Sequence, residues 1–117
     1  MKKEDFLQRT RAFGLRAIRL VEKLARNQTA QILGRQLLRS GTSVGANYRA
    51  AVRAKSRADF ISKMGTVEEE CDEAIYWIEM LVDAGLIKLA AVADLIDEGN
   101  QILSIVVASI KTARRGK

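Results

Sequence analysis

An all-α fold, specifically an up-down-up-down four-helix bundle, is what this sequence predicts, on three observations. No proline occurs among the 117 residues. Proline costs about 3 kcal/mol inside a helix, so its absence leaves long helices unbroken. Four segments repeat apolar residues at spacings of three and four, the period of one helix face. No segment alternates polar and apolar residues strictly, as a half-buried strand does. Hydrophobic residues make up 48% of the chain but aromatics only 5%, so the core is expected to be mostly aliphatic. The length fits one domain over residues 1–117, with a basic tail at 111–117.

The first helix is expected from about Asp5 to Arg26. Phe6, Thr10, Phe13, Ala17, Leu20 and Leu24 share one face, and Arg9, Arg16, Arg19, Lys23 and Arg26 follow the same spacing on another. Asn27 and Gln28 read as a turn, with Thr29 capping the next helix. That second helix runs to about Lys55, with Leu33, Leu37, Val44, Tyr48 and Ala51 inward and Arg35, Arg39, Arg49 and Arg53 in a narrow arc opposite. Gly41 to Gly45 lowers helix propensity, and a break there is the alternative to a continuous helix. Gly34, Gly41 and Gly45 share a stripe where another helix can come close.

Ser56-Arg57-Ala58-Asp59 resembles a capping box, with Asp in place of Glu. From there Phe60, Met64, Val67, Cys71, Ala74, Ile78 and Leu81 keep a heptad rhythm, and Gly85 is a natural stop. The fourth helix, about Leu89 to Arg114, repeats that rhythm through Val92, Ile96, Gly99, Leu103, Val106 and Ile110. Leu95, Ile102, Ile105 and Val107 lie off this seam. They are read as surplus apolar surface, with Leu95, Ile102 and Ile105 assigned to a subunit interface.

Charge is divided along the chain. Residues 1–63 hold 15 Lys/Arg against 4 Asp/Glu, whereas residues 64–110 hold one Lys against 10 Asp/Glu. Either basic and acidic helices pair at their margins, or a basic surface awaits a polyanion. Catalysis finds little support. There is no histidine, so Ser-His-Asp and Cys-His arrangements and His-ligated metals are excluded. Cys71, the single cysteine, sits on the apolar seam as a small hydrophobe and points to no oxidising compartment. Glu70 is expected to be half-buried and paired with an arginine such as Arg39 or Arg57, while Tyr48, Tyr76 and Trp77 read as packing residues. The longest uncharged run, Gly99 to Ile110, is well short of the ~20 residues that span a bilayer. A cytoplasmic protein without cofactor or metal, which binds rather than catalyses, is expected.

The stretch from Gln36 to Ala51, QLLRSGTSVGANYRAA, resembles the signature of a bacterial four-helix-bundle family. So do Ser56-Arg57-Ala58-Asp59-Phe60 and the run Glu68 to Leu81, EEECDEAIYWIEML. The family is known from reading frames inside intervening sequences of 23S ribosomal RNA genes, and the resemblance covers about residues 6–110. It implies an up-down-up-down bundle, and ring-shaped homopentamers occur among its relatives. A distant branch supplies accessory proteins to retroelement reverse transcriptases. It implies no catalytic residues. Where many relatives carry an acidic residue soon after the Asn, this chain reads Asn47-Tyr48-Arg49-Ala50.

Two functions are therefore expected. One is sequence-nonspecific binding of nucleic acid, RNA above all, through Arg9, Arg16, Arg19, Lys23, Arg26, Arg35, Arg39, Arg49 and Arg53, aided by Lys111, Arg114, Arg115 and Lys117. The other is a homo-oligomeric protein–protein adaptor whose arginines pair with the acidic third helix.

Overall fold

The structure is a computed structural model that describes residues 1–116; Lys117 lies outside the described residues. Four helices follow one another: α1 (Lys3–Glu22), α2 (Gln28–Val52), α3 (Arg57–Asp83) and α4 (Leu89–Arg115). They stack into a rod with extents of 50 × 22 × 21 Å. Successive helices pack along their lengths, while α1 and α4 meet only sparsely. The three short connections force the up-down-up-down order.

Capping explains three of the boundaries. α2 is capped by Asn27, whose side chain accepts a hydrogen bond from the Ala30 N–H at 2.8 Å, in place of the expected Thr29. Asn is the stronger N-cap residue. The earlier start follows from α1 ending at Glu22 rather than near Arg26. At α3 the Ser56 half of the expected capping box is present, and the return bond falls one residue before the cap. The Ser56 hydroxyl accepts from the Asp59 N–H at 3.0 Å, and the short Asp59 carboxylate reaches back to the Lys55 N–H at 3.1 Å. Lys63 sits 2.5 Å from the same carboxylate. That contact, with the Lys55 N–H, holds the Asp59 carboxyl below its usual range. α3 stops in a paired C-terminal motif: the Leu86 N–H donates to the Leu81 carbonyl and the Gly85 N–H to the Val82 carbonyl, both at 2.9 Å. Gly85 has φ 76°, which glycine adopts without strain.

α2 passes through Gly41 to Gly45 without a break. The glycine stripe is the α1–α2 contact. A Cβ on Gly41 would lie 2.8 Å from the Ala17 Cβ, and one on Gly45 3.3 Å from the backbone of Thr10 and Arg11. Gly14 of α1 completes the close approach, its missing Cβ lying 3.4 Å from the Gly41 carbonyl.

One aliphatic core joins all four helices, with Phe13, Leu37, Met64, Ile78, Leu81 and Ile102 among its fully buried members. The expected rotation of α4 is corrected. Its buried residues are Val92, Leu95, Gly99, Ile102, Val106 and Ile110, while Ile96 and Leu103 are half-buried and Leu89 is 57% exposed. Leu95 and Ile102 therefore belong to the monomer core and form no subunit interface, and Ile105 is half-buried against that core. The physical reason lies in Glu98. It sits on the same flank of α4 as Leu95 and Ile102 and reaches Arg9 of α1, so α1 covers that flank. Besides Leu89 at the start of α4 and the terminal Met1, the large apolar residues left exposed are Leu15 on α1, Ile32 and Leu38 on α2 and Tyr76 on α3.

Candidate nucleic-acid interface

The nine basic residues expected to form a surface do not share one fate. Arg9 is spent. Its guanidinium donates to both carboxylate oxygens of Glu98, at 2.8 and 2.7 Å, and to the Gln101 side chain at 3.0 Å. The forked geometry ties α1 to α4, whose backbones come close at few points. The bond to Glu98 also raises the Arg9 pKa.

Arg39 is loosely held, with Nη1 3.5 Å from Glu73 and 4.0 Å from Glu70 and a side chain 65% exposed. Glu70 has the expected neighbour, but at 4.0 Å this is an ion pair without a hydrogen bond, and the buried Oε1 accepts none among the described residues. The pairing of basic with acidic helices is thus confined to Arg9 with Glu98 and Arg39 with the Glu70–Glu73 pair.

Arg16 is half-buried, and Arg19, Lys23, Arg26, Arg35, Arg49 and Arg53 are exposed; none makes an ion pair among the described residues. Two shallow depressions on the solvent side of the α1–α2 seam gather several of them. One holds Arg26 and Arg35, and the other Arg11 and Arg49. On α2, Arg35 and Arg49 are separated by about 21 Å at 1.5 Å per residue. The basic surface is therefore the α1–α2 seam and the outer face of α2. Lys111, Arg114 and Arg115 add exposed cations on the last turns of α4.

Two residues escaped the sequence pattern. Arg11 is exposed and lines the seam, but it lies off the spacing that starts at Arg9. Its signal was its place four residues from both Leu7 and Leu15. Tyr76, expected to pack, is 51% exposed with its ring edge-on to Trp77 at 5.0 Å.

Cys71 is buried, and its thiol donates to the Gly99 carbonyl at 3.3 Å. Burial pushes its pKa up to about 12, with Asp72 and Glu98 adding to the effect, so the thiolate needed for chemistry is scarce. No group of three or more metal-ligating side chains converges among the described residues. No helix among them is long and apolar enough to cross a membrane.

A family model described as "23S rRNA-intervening sequence protein" matches residues 2–108. The chain belongs to the 23S rRNA-intervening sequence protein family. A solved structure from Bacteroides thetaiotaomicron, described as a protein of unknown function from the S23 ribosomal protein family, is 34% identical. It covers 96% of this chain, which in turn covers all of it, at a TM-score of 0.88. No curated protein matches. The likeness to this solved structure extends over the whole helical architecture.

Proposed function

We propose that this protein is a non-enzymatic RNA-binding bundle that neutralises phosphates with the unpaired cations of α1 and α2. The observation that carries the reading is the exposure of cations that have no ion pair. Arg19, Lys23, Arg26, Arg35, Arg49 and Arg53 remain exposed and without a carboxylate partner among the described residues, although the same chain supplies an acidic helix. Exposed cations without ion pairs, with Arg26, Arg35 and Arg49 among them along the α1–α2 seam, attract a polyanion by counterion release and need no base-specific contact. The family's link to 23S ribosomal RNA genes favours RNA over DNA. Assembly into a homopentamer, as the resemblance implies, would repeat a modest patch at high local concentration and raise avidity.

The test is fluorescence anisotropy of a labelled structured RNA against nuclease-treated protein of measured oligomeric mass, across a salt series. Affinity is expected to fall steeply with salt, and Lys23→Gln with Arg26→Gln to blunt that fall without altering the mass. Absence of binding at low salt would overturn the proposal.

The adaptor reading keeps one specific support, the exposed Leu15, Ile32 and Leu38 on α1 and α2. Its pairing of arginines with α3 reduces within the chain to Arg39 alone among the described residues.

A further inference from the structure

The α1–α2 seam carries more than charge. The depression that contains Arg11 and Arg49 has a volume of about 450 Å³. Its floor is low because Gly14 and Gly45 bring the two helices together beside the short side chains of Thr10 and Thr42, and Ala46 adds only a methyl. Its walls are apolar: Leu7, Leu15 and Ile18 of α1, with Leu15 41% exposed. Arg11 and Arg49 stand at the rim, both exposed and without an ion pair among the described residues. No Asp or Glu lines the groove.

These features select a ligand. A phosphate backbone would satisfy the arginines but leave Leu7, Leu15 and Ile18 in water. A purely apolar helix would cover the walls but strip water from two cations with no counter-charge, which is costly. An occupant with an apolar stripe and flanking carboxylates satisfies both. From Leu7 to Ile18 the wall extends about 16 Å, which is three turns of a docked helix and room for anchors at i, i+3 or i+4, and i+7. We propose that this groove docks an acidic amphipathic helix of a partner protein, its apolar stripe against Leu7, Leu15 and Ile18 and its carboxylates against Arg11 and Arg49. The inference does not rest on RNA binding.

The probe is a fluorescein-labelled Leu/Glu amphipathic peptide of about five helical turns, paired with a scrambled isomer of equal composition and charge. The full chain is titrated and followed by anisotropy. The amphipathic peptide is expected to bind and the scrambled one to bind at least tenfold more weakly. Leu15→Lys removes an apolar wall while adding positive charge, so a merely electrostatic contact would tighten; docking is expected to weaken roughly tenfold. Ala46→Lys, on the floor of the groove, is expected to act in the same direction. Both variants are checked for an unchanged melting curve, and RNA affinity, if present, is expected to hold or rise in both. Equal binding of the two peptides, no binding of either, or unchanged affinity in both lysine variants would overturn the proposal. So would a fall in oligomeric mass on Leu15→Lys, which would make a second copy of the chain the occupant.

Discussion

Replacing Gly41 with Ala sets a methyl carbon 2.8 Å from the Ala17 Cβ, where both atoms are fixed to helix backbone. Carbon–carbon contacts are most favourable near 3.5–4.0 Å, so α1 and α2 must part by roughly 1 Å. Parting them also loosens the Gly14 and Gly45 contacts on the same seam. Against this, Ala in place of Gly within a helix gains about 1 kcal/mol. Gly65 of α3 provides the control, because a Cβ there meets nothing within 4 Å. Gly65→Ala is expected to collect the propensity gain alone, about 0.5–1 kcal/mol. The propensity terms cancel between the two variants, so their difference isolates the packing cost, about 1–3 kcal/mol for overpacking. At about 4 °C per kcal/mol for a chain of this size, Gly41→Ala should melt roughly 4–12 °C below Gly65→Ala. Circular dichroism melts and urea titrations of both proteins measure it. Adding Ala17→Gly to Gly41→Ala returns the missing space, and a favourable coupling of about 1 kcal/mol is expected in the double-mutant cycle. Equal stability of the two single variants would refute the close-approach reasoning.

Asn27→Ala should cost about 1 kcal/mol by urea denaturation, whereas Thr29→Ala should cost little, because Asn27 holds the cap. Glu70→Met should hold or raise stability, since a buried carboxylate oxygen with no hydrogen bond is exchanged for a flexible apolar chain of similar length; a loss above about 1 kcal/mol would show that Arg39 compensates the charge after all. The buried thiol gives a pH prediction. The Cys71 pKa is raised in the folded state to about 12, so the unfolded chain ionises first as pH rises. Its stabilising contribution is complete below about pH 9 and declines above it, at up to about 1.4 kcal/mol per pH unit. Cys71→Ala should remove most of that alkaline decline, and native Cys71 should resist thiol reagents at about pH 8 until the protein unfolds.

Much of the architecture was legible because the signals were local. Ser56 with Asp59, Gly85, and the Met64-to-Leu81 seam each lie within a turn or two of the structure they specify. The glycine stripe on α2 was also readable, since three missing side chains on one face imply a neighbour. The rotation of α4 was not. Two candidate stripes share Val92, Gly99, Val106 and Ile110, and heptad spacing fits Ile96 and Leu103 as well as the buried Leu95 and Ile102. What decides between them is Glu98 meeting Arg9, a contact spanning 89 positions. The same long-range pair withdrew Arg9 from the basic surface. Tyr76 lies between Ile75 and Trp77, and a helix cannot turn three consecutive residues inward; Ile75 took the core and Tyr76 was left outside.

The central claim, that exposed unpaired cations bind RNA while internally paired ones do not, is tested by the salt dependence of binding in two variants. The logarithm of affinity for a structured RNA is plotted against the logarithm of salt concentration for wild type, Arg35→Gln/Arg53→Gln and Arg9→Gln. Removing one cation that neutralises a phosphate should reduce the slope by roughly 0.7–0.9. The double variant is expected to show between one and two such reductions, and Arg9→Gln none, since its guanidinium already holds Glu98. A slope unchanged in the double variant, or reduced as much by Arg9→Gln, would contradict the account.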